Sequence, residues 1–308
     1  MNEKGSNQCQ LIKEIKKLKE KRNAVIMAHY YEPGEIQDIA DFVGDSLQLA
    51  RQAAETDAEV IVFCGVHFMA ESAAILSPNK IVLLPEAGAG CPMADMIDSA
   101  KLIKEKEKIQ GVQVVCYVNS SAEVKAESDI CCTSANAEMI VKSLPDGEIL
   151  FVPDSNLGGY VAKKIGKKIH LWNGHCPTHH NLRKEDVLKQ LGEHPNAKVL
   201  VHPECREEVW READFVGSTA GIIAYAKNSA DKEFIIGTEK GILHQLKKEC
   251  PDKKFYMASE KMICLDMKKI SLEMVRDCLQ NLNPRVEVSD EIRNKAVSSL
   301  QRMLVESK

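Results

Sequence analysis

Three cysteines sit at matching places along the 308-residue chain: Cys91 in Gly-Ala-Gly-Cys-Pro-Met, Cys176 in Asn-Gly-His-Cys-Pro and Cys264 in Lys-Met-Ile-Cys-Leu. They lie 62, 59 and 62 residues after His29, Tyr117 and His202, which head three copies of one frame. In each frame an apolar run (Val25–Ala28, Val114–Cys116, Val199–Val201) feeds two polar residues spaced i, i+2: His29/Tyr31, Tyr117/Asn119 and His202/Glu204. Asp41, Asp129 and Asp214 follow twelve residues on, and Ser46, Ser134 and Thr219 seventeen residues on. A solitary cysteine is most often a small buried hydrophobe. Matched placement argues otherwise for these three. Converging thiolates suit either a zinc site completed by histidine or water, or an iron–sulfur cluster with one iron lacking a protein ligand. An open metal position acts as a Lewis acid toward a substrate hydroxyl or carboxylate. His179, three residues after Cys176, is within reach of the same cavity.

Side chains at i and i+2 of a strand share a face. The three pairs are therefore expected to line one cavity with proton-transfer and hydrogen-bonding groups. Ser46, Ser134 and Thr219 fall where helices should begin. There they could serve as ordinary N-caps, worth about 1 kcal/mol each, or present helix N–H groups and hydroxyls to an anionic substrate. A second motif set, Gly65–Glu71, Pro153–Gly158 and Gly237–Gly241, is expected at the cavity rim or floor, without assigned chemistry.

The frames are 88 and 85 residues apart, which marks the chain as three repeats. Short, continuously apolar runs centred on 25–28, 60–63, 81–84, 114–118, 149–152, 168–172, 198–201, 234–236 and 254–257 alternate with helical patterns. Such runs suit parallel strands buried on both faces. The fold class predicted is α/β: three homologous small parallel-sheet domains, triplicated with pseudo-threefold symmetry around a central site. The expected divisions are 1–109 (an N-terminal helix plus repeat 1), 110–194, 195–280, and a closing helix in 281–308 capped by Ser289. In such sheets functional groups collect beyond the carboxyl ends of the strands.

Bulk properties exclude several classes. A net charge of −4 with 28% charged residues leaves no basic footprint for nucleic acid or an anionic membrane. The N-terminal Met-Asn-Glu-Lys-Gly-Ser has no apolar signal core, and no run approaches membrane-span length, so a cytoplasmic protein is expected. Eleven cysteines, an odd number with no Cys-x-x-Cys pair, argue against a disulfide framework or a locally encoded metal ribbon. Cys64, Cys116, Cys131, Cys132, Cys250 and Cys278 have no threefold match and read as structural.

The motifs Ala28-His29-Tyr30-Tyr31, Gly44-Asp45-Ser46, Gly65–Glu71, Cys91–Met96, Tyr117–Ser120, Pro153–Gly158, His202–Cys205, Gly217–Thr219 and Gly237–Gly241 together resemble the quinolinate synthase family. The resemblance implies a triplicated α/β fold and a [4Fe–4S] cluster held by Cys91, Cys176 and Cys264, with the remaining iron open to substrate. It implies condensation of iminoaspartate with dihydroxyacetone phosphate to quinolinate, releasing phosphate and two waters, in NAD biosynthesis. His29, Tyr31, Tyr117, Asn119, His179, His202 and Glu204 would line the active site, and Ser46, Ser134, Ser218 and Thr219 would bind anions. Tyr31 and Glu204 would transfer protons while His29 and His202 position or polarise substrate oxygens. An aspartate oxidase or dehydrogenase would supply the labile imine. One departure stands out: Cys264-Leu265-Asp266-Met267 replaces the usual Cys-Pro-Asn-Met. A cluster-dependent hydro-lyase without a phosphate site and a non-catalytic metal protein are the competing readings.

Overall fold

The computed structural model describes residues 3–307, with side-chain burial from Gln8 onward. The described residues form twelve strands in three four-stranded, wholly parallel sheets. The first sheet comprises β1 (Ala24–His29), β2 (Phe42–Gly44), β3 (Val60–Cys64) and β4 (Ile81–Leu83). The second comprises β5 (Gln113–Tyr117), β6 (Ile130–Cys132), β7 (Ile149–Val152) and β8 (His170–Leu171). The third comprises β9 (Lys198–Val201), β10 (Phe215–Val216), β11 (Glu233–Gly237) and β12 (Lys254–Met257). Spatial order is the same in all three: second strand, first, third, fourth.

Nine strands were expected, and each is present. The other three are β2, β6 and β10, the edge strand next to the first strand of each sheet. They are two or three residues long, too short for hydrophobic periodicity to register. What builds them is the aspartate at the twelfth position of each frame. Asp41 Oδ2 accepts from Ile26 N at 2.9 Å, Asp129 Oδ2 from Val114 N at 2.7 Å and Asp214 Oδ2 from Val199 N at 2.9 Å. Each of these aspartates also donates its own N–H to the carbonyl of the same strand residue, at 2.8, 3.1 and 2.9 Å. A carboxylate clamp thus completes the ladder where the edge strand begins. These three aspartates are scaffold, not chemistry.

The continuous apolar runs are buried as parallel-sheet physics requires: Val25–Ala28, Val60–Cys64, Val114–Tyr117, Ile149–Val152 and Val199–Val201 are all buried. In each sheet the chain leaves the first strand toward one side and reaches the third on the other, which opens a crevice at their carboxyl ends. The closing helix, Asp290–Val305, starts at Ser289, whose hydroxyl accepts from Ile292 N at 3.4 Å. It buries Ala296, Leu300 and Met303 as expected, while Ile292 is only half-buried. It lies over β6 and over helices Ala122–Ala126 and His67–Leu76, joining the first two repeats. No helix among the described residues is long and apolar enough to cross a membrane.

Candidate active site

One cavity receives side chains from the ends of all three sheets. His29, Tyr31, Ser46, Cys91, Tyr117, Asn119, Ser134, Cys176, His179, His202, Glu204, Thr219 and Cys264 all line it. Ser218 does not. It is the N-cap of helix Thr219–Asn228, accepting from Gly221 N at 3.1 Å, and it also bonds the Asp45 carboxylate.

The three polar pairs converge, though not by strand alternation. The chain turns as each strand ends: Glu32 N donates to His29 O at 3.0 Å and Cys205 N to His202 O at 3.0 Å. Tyr31 and Glu204 therefore enter the cavity from turns, and their amides donate to the imidazoles before them. Tyr31 N reaches His29 Nδ1 at 3.1 Å and Glu204 N reaches His202 Nδ1 at 3.3 Å. An accepting Nδ1 assigns the proton to Nε2. His202 Nε2 donates to Ser134 Oγ at 3.1 Å. Burial, aided by Lys268 and His202 and opposed by Glu204, lowers His29 to about 3. Burial, opposed by Glu204 and aided by His179, lowers His202 to about 3 as well. Both imidazoles are neutral N–H donors at neutral pH.

Glu204 collects the remaining polar groups. Tyr117 Oη donates to its Oε1 at 2.5 Å, and His179 Nδ1 lies 2.6 Å from Oε2. Burial alone would raise this carboxyl, but the His179 and His202 imidazoles and the hydrogen bonds from His179 and Tyr117 outweigh it, so it titrates below the ordinary carboxylate range. With Nδ1 committed to Glu204, His179 Nε2 accepts from Thr238 Oγ1 at 2.8 Å. Thr238 Oγ1 accepts in turn from Tyr31 Oη at 2.6 Å, and Tyr31 Oη accepts from Thr219 Oγ1 at 2.8 Å. A directed chain of donors therefore runs from Thr219 through Tyr31, Thr238 and His179 to Glu204. Thr238 was only part of an unassigned motif; its contacts, made across the repeats, leave no mark in local sequence.

The hydroxyls near the helix starts are freed from capping by their neighbours. Asp45, not Ser46, caps helix Ser46–Glu55, accepting from Leu47 N and Gln48 N at 3.2 and 3.1 Å while Gln48 Oε1 takes Asp45 N at 3.1 Å. In the second repeat, Asn136 and Thr133 brace each other ahead of helix Ala137–Ser143. Asp45, Asn136 and Ser218 thus hold the structural roles, and Ser46, Ser134 and Thr219 face the cavity. Asn119 adds a buried amide oxygen with no partner in the protein.

Of the eleven cysteines, Cys9 is exposed, seven are buried, and the three matched ones, Cys91, Cys176 and Cys264, are partly exposed. Each heads a tight turn whose amides hydrogen-bond the sulfur: Met93 and Ala94 at Cys91, His179 at Cys176, Asp266 and Met267 at Cys264. Removal from bulk water pushes the Cys91 thiol up to about 12 and raises Cys176 and Cys264, with neighbouring thiols adding at Cys91 and Cys176. Without a cation these thiols keep their protons; a metal centre is what would deprotonate all three. Three soft donors with amide-bonded sulfurs fit an iron–sulfur cluster. A ligand set of Cys176, His179 and Glu204, with donor atoms within 4.8 Å of one another, could instead hold a single ion.

Gly241 is required by this packing. A Cβ there would come within 2.6 Å of the Tyr31 backbone, which cannot yield.

The chain matches the family described as Quinolinate synthetase A protein over residues 13–305. It is 58% identical over 297 residues to a quinolinate synthase of Methanosarcina barkeri, covering 96% of this chain and 98% of that one. It is 55% identical to the quinolinate synthase of Desulforudis audaxviator at the same coverage, and 56% identical over 290 residues to that of Dehalococcoides mccartyi, covering 94% and 96%. Nearly the whole length is thus shared with these enzymes, and the chain belongs to the quinolinate synthetase A protein family.

Proposed function

We propose that the cavity condenses iminoaspartate with dihydroxyacetone phosphate to quinolinate, releasing phosphate and two waters. The carrying observation is that Cys91, Cys176 and Cys264, one from each sheet unit, open into the cavity that holds the Thr219–Tyr31–Thr238–His179–Glu204 chain. The three thiolates would hold a [4Fe–4S] cluster. When bound, that cluster supplies a Lewis-acidic iron that promotes loss of a substrate hydroxyl. The division at 1–109, 110–194, 195–280 and 281–308 belongs to the same proposal, since it assigns each ligand to a different unit.

The protein's own groups supply the rest. Ionised Glu204 takes up a proton from substrate, and Tyr31, in line with Thr238, returns one. His29 is neutral and donates from Nε2 to a substrate oxygen, and neutral His202 turns its Nε2–H from Ser134 Oγ to another. Ser46 and Ser134, with the helix starts beside them, meet carboxylate and phosphate oxygens; Thr219 joins them when its hydroxyl turns from Tyr31 to the substrate, and Ser218 supports that role by capping its helix. The unpartnered oxygen of Asn119 accepts a substrate N–H or O–H. Iminoaspartate hydrolyses readily, so an oxidase or dehydrogenase acting on aspartate is the inferred supplier.

The deciding measurement is an anaerobic assay of the iron-reconstituted chain that follows quinolinate and phosphate together, with a visible spectrum of the same sample. Equal amounts of both products and a brown, iron-containing protein are expected. Turnover without phosphate release would point to a hydro-lyase. Full activity with one zinc per chain and no iron would favour the Cys176, His179 and Glu204 site. Cys91→Ala, Cys176→Ala and Cys264→Ala should each abolish cluster absorbance.

A further inference from the structure

Carboxylates stand behind the three cysteine turns. Asp154, just past β7, is fully buried; it accepts from Leu157 N through Oδ1 at 2.7 Å and from Cys176 N through Oδ2 at 3.1 Å. Glu239, just past β11, is fully buried; it accepts from Gly241 N through Oε2 at 2.6 Å and from Cys264 N through Oε1 at 3.1 Å. These acids hold corresponding places, after the third strand of their sheets. The first repeat has Gly65-Val66-His67 there and no acid. Its cysteine turn is held from elsewhere: Gly90 N donates to Asp266 Oδ1 at 3.2 Å, and Asp266 lies two residues after Cys264.

A backbone carbonyl could accept these N–H groups without bringing negative charge beside three thiolates. A carboxylate makes the stronger bond, at an electrostatic cost near the cluster. Two lysines meet that cost in the third repeat. Lys268 Nζ lies 3.0 Å from Glu239 Oε1, and Lys269 Nζ lies 2.6 Å from Asp266 Oδ1 and 2.6 Å from Gly88 O. The run Cys264–Lys269 thus carries a ligand, an acid that steadies the Cys91 turn, and cations for two of the three acids.

We propose that Asp154, Glu239 and Asp266 are positioning residues for the cluster cysteines, fixing the ligand turns so that converging thiolates do not spread them apart, with Lys268 and Lys269 as counter-charges. The inference rests on the three-thiolate cluster reading above. Groups that orient metal ligands typically change affinity 10- to 100-fold when removed.

The test uses the full chain, reconstituted anaerobically with iron and sulfide. Iron and sulfide per chain and the rate of bleaching by an iron chelator are measured for the parent, Asp154→Ala, Glu239→Ala and the milder Asp154→Asn and Glu239→Gln. Circular dichroism of the cluster-free chains reports the fold. Asp214→Asn, an acid that holds strand backbone away from the cavity, is the control. At least 10-fold faster bleaching in the alanine variants, smaller increases in the amide variants and a parent-like control are expected. Parent-like bleaching in folded Asp154→Ala and Glu239→Ala overturns the proposal. If the alanine variants do not fold, the amide variants decide, and parent-like bleaching in both overturns it equally. A parent that takes up no iron removes the cluster reading itself, and the proposal with it.

Discussion

The phenol of Tyr117, at the end of β5, reaches out of its own repeat to donate a hydrogen bond to Glu204 of the next, 2.5 Å away. His179 on the other oxygen and His202 nearby, with that bond adding to them, keep Glu204 ionised where burial would have it neutral. Glu204→Gln should therefore lower kcat by about 10²- to 10⁴-fold, the usual range for a general base, with iron content unchanged. Tyr117→Phe should leave iron intact too and lower kcat less, since the carboxylate survives. Wild-type turnover in iron-loaded Glu204→Gln would remove the residue from the chemistry.

Thr238 is the link that lets Tyr31 reach His179. Valine has nearly its shape and no hydroxyl, so Thr238→Val should reduce kcat roughly 10- to 100-fold, at the lower end of proton-transfer effects. KM should change little. Thr238→Ser should restore most of the rate. Equal rates in the serine and valine variants would show that the methyl group, not the hydroxyl, matters.

Glu32 offers a pH signature of stability. It is fully buried, and neither carboxyl oxygen has a partner. Burial, opposed by Lys268 and assisted by Glu239, raises its pKa from 4.5 to about 9. Between those values the folded chain keeps a proton that the unfolded chain has released. Its contribution is therefore most favourable below about pH 4.5 and is lost as pH rises, by up to about 1.4 kcal/mol per unit. Glu32→Gln removes the slope. Its urea midpoint should exceed the parent's by a margin that widens from pH 5 to pH 8, and parallel curves would refute the assignment.

The aspartate clamps should behave as scaffold. Asp129→Ala or Asp214→Ala leaves a buried strand N–H without its carboxylate, costing about 1–3 kcal/mol in chemical denaturation. The iron content of folded protein should not change.

Side chains whose placement follows from strand ends and repeat offsets were legible in the sequence. The polar pairs and the helix-start hydroxyls occupy the same offsets in a common frame, the three cysteines nearly the same one, and all reach one cavity. The edge strands β2, β6 and β10 were not legible, because two or three residues held by a side-chain clamp have no periodicity. Nor were the contacts of Thr238 with Tyr31 and His179, of Asp154 with Cys176 or of Glu239 with Cys264, which span 22 to 207 residues. Only the tertiary fold brings them together. The capping role of Asp45 was hidden differently: one position along a helix start separates it from the cavity residue Ser46, and composition cannot choose between them.

The aspartate clamp recurs at the same 15-residue separation in all three sheets. The residues at the strand tips do not recur: histidine with tyrosine, tyrosine with asparagine, histidine with glutamate. The framework is built as three equals, and its centre is divided among specialists. A substrate pair with no rotational symmetry of its own, one partner rich in carboxylates and the other bearing a phosphate, can be held in only one orientation by such a centre. Three interchangeable tips would have offered three equivalent poses. The divergence of the tips leaves one.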